Sequence, residues 1–322
     1  MMERLNRRLL LFSLPCLPIV SRQTPHGLAQ VATPAPTSWS VRATMLIASD
    51  DFATATVDDR VYVFGGMTGS RGSSLDDATV YDPRRDEWSR LPVMPTARRS
   101  PRGAPLDGTI YVTGGATNDG PLTTVELWDT ATSRWSIGTP LTLPRYAHAS
   151  VSVNGALYVL GGFRNGQVLN TVERYDPASD RWDALSPLPT PRVHLAAVAL
   201  HGVIYALGGV GDSRAVTTVE MYDPTTDQWR TGPSMRTAMS NFAAITIDQT
   251  IHVLWSHEHD LLDTESETWS TAAPMPTPRH GLGVAVVDGV LYAYGGCHDK
   301  LFDLNTVEAL PLASLKTGDT DA

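Results

Sequence analysis

The chain has 322 residues, with 25 Lys plus Arg against 34 Asp plus Glu and a formal net charge of −9. No basic run or patch is present, so nucleic acid is not an expected partner. With only Cys16 and Cys297, and Cys16 near the N-terminus, the fold must rest on packing rather than on disulfides.

Residues 1–29 have the layout of a secretory signal peptide. Arginines lie in Met1 to Arg8, an apolar stretch from Leu9 to Val20 is broken by Pro15 and Pro18, and Gly27-Leu28-Ala29 offers small residues for cleavage. Arg7-Arg8 before a leucine run also fits a twin-arginine signal. The expectation is export to the periplasm or the extracellular space, with a cytoplasmic location if this start is not used. The apolar stretch is too short to span a membrane. Residues 30–37 read as a linker and 313–322 as a C-terminal tail.

From Ser38 onward the chain repeats. Tryptophans stand at 39, 88, 135, 182, 229 and 269, and glycine pairs at 65–66, 114–115, 161–162, 208–209 and 295–296. Each pair follows its tryptophan by 26 residues; at the fifth place Trp255-Ser256 stands instead. A fixed offset over so many copies marks a repeat array. Within each unit an apolar run leads through a two-residue turn into a second one. Asp107-Gly108, Asn154-Gly155 and Asp288-Gly289 supply the positive φ that a type I′ hairpin requires. Two further strands follow, the first ending at Asp-Pro (82–83, 176–177, 223–224) and the second carrying the tryptophan. Each unit is therefore four strands, called a to d. A lone sheet of this kind cannot bury both faces, and radial stacking solves that.

Apolar run, Gly-Gly, Tyr-Asp-Pro and Trp at a period near 47 resembles the Kelch repeat over residues 38–312. The implied fold is all-β: a six-bladed Kelch-type β-propeller. Trp39 has no strands a to c before it, and the last unit has no tryptophan strand after it. The expected closure is that the N-terminal strand completes the last blade. No helical segment of the BTB or F-box kind accompanies the repeats, so a cullin-adaptor role has no support in the sequence.

The b–c and d–a loops should share one face, where binding is expected. Candidates on the b–c loops are Arg71, Arg164, Asn165, Arg214, His257, His259 and His298, with His280 on a d–a loop. Arg98, Arg145, Arg192 and Arg279 recur ten residues after a tryptophan, with Ser49 and Met239 in the other two units. These arginines form either a cationic ring at the channel mouth that captures carboxylates, or a set of loop bridges repeated because the repeat is. Glu126, Glu173 and Glu220 recur in strand c and read as structural. His257, His259, His280, Cys297 and His298 are metal-ligating types, but their spacing matches no zinc motif, and neither metal nor cofactor is expected.

Three functions remain open: a module that binds a protein or glycan on the loop face, an exported sugar-acid mutarotase, and a structural interaction subunit. The second rests on a resemblance to bacterial N-acetylneuraminate epimerases, exported six-bladed Kelch propellers; Glu258 or His280 would then move the anomeric proton. Galactose oxidase is the poorer likeness, because its tyrosine–cysteine cross-link has only Cys297 to draw on in the repeats.

Overall fold

The computed structural model describes residues 39–69, 72–298 and 302–315. The expected signal peptide, the linker, the tail beyond Leu315 and Arg71 lie outside the described residues.

Among the described residues the chain forms six four-stranded antiparallel sheets arranged as blades. Blade one runs a Ala53–Val57, b Arg60–Phe64, c Ala78–Asp82 and d Glu87–Arg90. Strands a of blades two to six are Arg102–Leu106, Ala149–Val153, Ala196–Leu200, Ala243–Ile247 and Gly283–Val287. Neighbouring strands a touch one another around a central channel, and the last touches the first. The a–b turns take the expected positive φ, as at Asn154 (51°) and Gly155 (73°).

Blade six closes as expected. Strand d Ser40–Arg42 pairs with strand c Val307–Pro311, in the register Ser40↔Ala309, Val41↔Glu308 and Arg42↔Val307. The ring thus joins the two ends of the repeat region by a ladder, which removes the sheet edge an open array would expose.

The core is a set of wedges between adjacent blades. Tyr111 and Val125 of blade two pack on Leu157, Val159, Tyr175 and Trp182 of blade three, and each other junction repeats the theme. The tryptophans also tie blade to blade through the indole N–H. Trp182 donates to the Thr139 carbonyl at 2.9 Å, Trp229 to Ser186 at 2.9 Å and Trp135 to Pro92 at 2.8 Å. Trp39 makes the same bond across the closure, to Ala273 at 3.3 Å. This is why the indole recurs: it buries a large apolar area and caps a carbonyl that leaves the neighbouring strand d.

The b–c loops of five blades are short two-stranded ribbons, such as Phe163–Arg164 with Gln167–Val168 and Val210–Gly211 with Arg214–Ala215. Their roots pair with d–a loops, as in Tyr146↔Phe163 and Val193↔Val210, so both loop sets do share one face. Blade five differs. Its strand b, Thr250–Trp255, turns at once through Ser256-His257 into strand c, Glu258–Asp263.

Candidate functional site

The channel mouth on the ribbon face is bounded by one residue per blade just before strand a. Asp51, Ser100, Ala147, His194, Asn241 and Gly281 all have positive φ, between 48° and 60°. Their peptides form a belt: Asp51 N–H donates to the Gly281 carbonyl at 3.1 Å, Gly281 to Asn241 at 2.7 Å and Asn241 to His194 at 3.0 Å. His194 then donates to Ala147 at 2.8 Å, and Ala147 to Ser100 at 3.0 Å. At the remaining junction the Ser100 hydroxyl donates to Asp51 Oδ2 at 3.1 Å. The belt satisfies backbone groups that the turn into strand a would otherwise strand. Left-handed backbone at Ala147 is unusual for a residue without a side-chain acceptor, and the belt is what holds it there.

Beneath the belt lies a channel of about 430 Å³ walled by the strands a. Its walls are small or hydroxylated: Thr56, Ser150, Ser152, Ala197 and Thr246 among them. Arg102 and Asp51 are the only charged side chains along it among the described residues. Arg102 was not among the sequence candidates. The available signal was a break in period: where blade two has Arg102, the others have Ala53, Ala149, Ala196, Ala243 and Gly283.

The four repeat arginines do not form an open ring at this mouth. Each is fully buried and ion-paired to the strand-c glutamate of the blade it enters: Arg98 to Glu126, Arg145 to Glu173, Arg192 to Glu220 at 2.6 Å and Arg279 to Glu308 at 2.8 Å. Nη1 of each also bonds two carbonyls at the roots of the ribbon. Arg192 reaches Gly208 at 3.1 Å and Thr218 at 3.0 Å; Arg279 reaches Gly295 at 3.1 Å and Thr306 at 2.9 Å. Burial lowers the pKa of each guanidinium, opposed by its glutamate. The arginines are the loop bridges of the second expectation, and the glutamates are their structural partners. The physical reason is local: the turn into strand a aims the side chain back under its own ribbon, so its charge is spent internally.

The histidines do not come together. His257 sits exposed in the blade-five turn, with Nδ1 2.8 Å from the Met275 carbonyl. His259 points the other way, 2% exposed, with Nε2 2.9 Å from Nδ1 of His252 and its ring against Trp39. Alternation within a strand would put the two on one face, but strand c begins only at Glu258, which puts His257 outside the strand. Burial pushes His252 down to about 3 and His259 to about 4, His252 also feeling the His259 charge. His280 lies against Trp255 at the foot of a d–a loop, its backbone paired with Cys297, and His298 stands in the blade-six ribbon. Among the described residues no group of three His, Cys, Asp or Glu is placed to hold a metal. Of the remaining candidates, Asn165 and Arg214 are exposed at ribbon tips and Arg164 is half-buried beside Asn165.

The comparisons with known proteins agree with this architecture. A family model for the KLHDC2/KLHL20/DRC7 Kelch-repeats domain matches residues 51–254, and a Kelch-motif model matches 278–310. The chain belongs to the Kelch-repeat family. An F-box/kelch-repeat protein of Arabidopsis thaliana is 40% identical over 81 residues, 25% of this chain and 21% of that protein. Kelch-like protein 40 of Mus musculus is 37% identical over 78 residues, 24% of this chain and 12% of its own length. The chain thus matches 12–21% of the length of these relatives. Among solved structures, that of YjhT superposes with a TM-score of 0.72 at 14% identity, covering 82% of this chain and 95% of YjhT. No helix among the described residues is long and apolar enough to cross a membrane.

Proposed function

We propose that this protein is an interaction module that takes a segment of a protein partner across its ribbon face. The observation that carries the reading is the break in the rim at blade five. Five ribbons stand up around the channel mouth, and at the sixth place the chain turns back at Ser256-His257. The gap is floored by exposed His257 and Glu258, half-buried Trp255 and the half-exposed side chain of Arg236. A mixed apolar and charged notch in a polar rim gives an extended segment an orientation, which a symmetric ring would not. Rigid scaffolds commonly present recognition residues in this way. Kelch relatives that carry F-box or BTB segments are consistent with a protein-binding use of the propeller. Binding of a glycan on the same face is the competing use, and export remains part of the proposal on the strength of the N-terminal sequence. A sugar-acid mutarotase would have to draw on groups other than the four ion-paired arginines.

The test compares wild type with a protein carrying Arg164→Ala, Arg214→Ala and Glu258→Ala, both immobilised and exposed to extract of the source cell. The expected outcome is a defined partner retained by wild type, lost from the variant and recovered with purified components, at unchanged melting temperature. Identical retention by both proteins would remove the ribbon face from the reading.

A further inference from the structure

We propose that the channel is a second site, for an organic carboxylate that also carries a hydrogen-bond donor, with Arg102 taking the carboxylate and Asp51 the donor. This goes beyond the ribbon-face reading and does not depend on it.

Arg102 breaks the symmetry of the channel wall. Strand a opens with Ala or Gly in five blades, and only blade two has an arginine there. A periodic arginine is explained by its repeat; a solitary one in a channel wall is not. The periodic arginines are each neutralised by a glutamate. Arg102 forms no ion pair among the described residues, and its Nη1 donates to the adjacent Pro101 carbonyl at 2.9 Å. Burial lowers its pKa, with the Asp51 charge acting in the opposite sense. A guanidinium has five donors in a planar fork, and most of this one's are left facing a confined space. A carboxylate matches that fork in shape and charge.

Asp51 supplies the second, independent observation. It is 4% exposed, and Oδ2 accepts from Ser100 while Oδ1 has no partner. A buried carboxylate oxygen with no donor is costly in a folded protein. Next to it, Gly281 keeps the belt open. A Cβ there would lie 3.2 Å from Asp51 Oδ1 and 3.1 Å from Asn241 Nδ2. The missing side chain leaves a gap between an idle acceptor and an amide donor, at the end of a channel of about 430 Å³. That volume is within the usual range of small-molecule pockets. The channel therefore offers a cation for an anion and an acceptor for a donor near its mouth, with Ser150 and Thr246 further along its wall. The shared chemistry can arrive as a free sugar-sized acid or as the carboxylate end of a polypeptide.

The experiment is calorimetric titration with thermal shift at fixed ionic strength, on wild type, Arg102→Ala and, as a control on an exposed outer strand d, Arg134→Ala. The probes are D-glucuronate with neutral D-glucose, and a short peptide with a free C-terminal carboxylate beside its C-terminal amide. Wild type and Arg134→Ala should bind one of the two carboxylates at least about tenfold more tightly than its neutral counterpart, as expected for a charge-assisted pair. Arg102→Ala should lose that preference. Binding of glucuronate identifies a free acid as the source; binding of the peptide identifies a chain end. Alanine fills the equivalent place in four blades, so Arg102→Ala should fold and, unliganded, melt at or above the wild-type temperature. The proposal is overturned if neither carboxylate binds, if the preference survives in Arg102→Ala, or if that variant melts lower, which would make the arginine structural.

Discussion

Blades two, three, four and six each bury an arginine against a glutamate; blade five buries the acid without the base. Asp260 faces Val253 across strands b and c as Glu220 faces Ala206 in blade four, so it occupies the glutamate's place. The arginine's place is taken by Met239, 1% exposed. Asp260 is 3% exposed, its Oδ2 has no partner, and the nearest base, Arg236, stands 4.0 Å from Oδ1 with its side chain half in solvent. Blade one shows the other way to lose the pair: Ser49 and Thr79 replace both members and leave no charge to satisfy. In the paired blades the arginine joins the two roots of the ribbon, through the first glycine carbonyl and the threonine carbonyl. In blade five strand b runs on to pair Trp255 with Glu258, and there are no ribbon roots to join. Blade five thus has the acid but neither the arginine nor the ribbon. A buried charge whose structural reason has gone is either a cost or part of the notch.

The most severe way to break this comparison is to put blade three into the state of blade five. Arg145→Met leaves Glu173 buried without its cation and should cost about 3–5 kcal/mol in a denaturant titration. Arg145→Met with Glu173→Leu should recover most of that, because it removes the charge with the partner, as blade one does. A single-variant loss under about 1 kcal/mol would mean that a methionine–acid pair is tolerated anywhere in the ring, and blade five would cease to be special.

The architecture was open to reading because it is written in local chemistry at fixed intervals. Type I′ turns, Gly-Gly and a wedge-filling tryptophan each act within a few residues of themselves, and Trp39 without strands before it implied the closure that Ser40–Arg42 makes. The arginines were located correctly along the chain, but period alone does not say what a side chain meets. The needed signal was a second period: Glu126, Glu173 and Glu220 each follow their arginine by 28 residues, and Glu308 follows Arg279 by 29. The separation of His257 from His259 depends on a strand boundary, since strand c starts at Glu258 and leaves His257 in the turn. Arg102 and the belt were hidden because one is an exception to the repeat. The other is a backbone conformation shared by residues as different as Asp51, Ala147 and Gly281.

A second test sharpens the contrast through pH. His252 and His259 are buried as a neutral pair at the junction of blades five and six, held down to about 3 and about 4. Depressed histidines keep the folded state from taking protons that the unfolded chain accepts below about 6.5. Their contribution is therefore intact above about 6.5 and is lost as pH falls towards 4, by about 1.4 kcal/mol per histidine per pH unit. Urea midpoints across that window should fall more steeply for wild type than for His252→Gln, and equal slopes would place the acid sensitivity elsewhere.

The smallest expected effect decides whether Asp260 is a cost or an asset. Burial raises its pKa, with Arg236 pulling it down. A carboxyl raised in the folded state favours folding where it is protonated and opposes it once pH has risen through the folded-state value. Asp260→Asn keeps the shape and removes the charge, so it should stabilise the protein by about 1 kcal/mol at pH 7, a gain that shrinks as pH falls. Glu258, on the same face of strand c, is raised by burial first and by Asp260 second, so the variant should also return Glu258 towards its ordinary titration. That coupled change is readable by NMR of the Glu258 side chain. If Asp260→Asn instead destabilises at pH 7, Arg236 is already the working partner at 4.0 Å, and blade five has rebuilt its ion pair from the loop side. If it stabilises and yet weakens retention of a partner at the rim, the unpaired acid belongs to the binding surface, kept there against the interest of the fold.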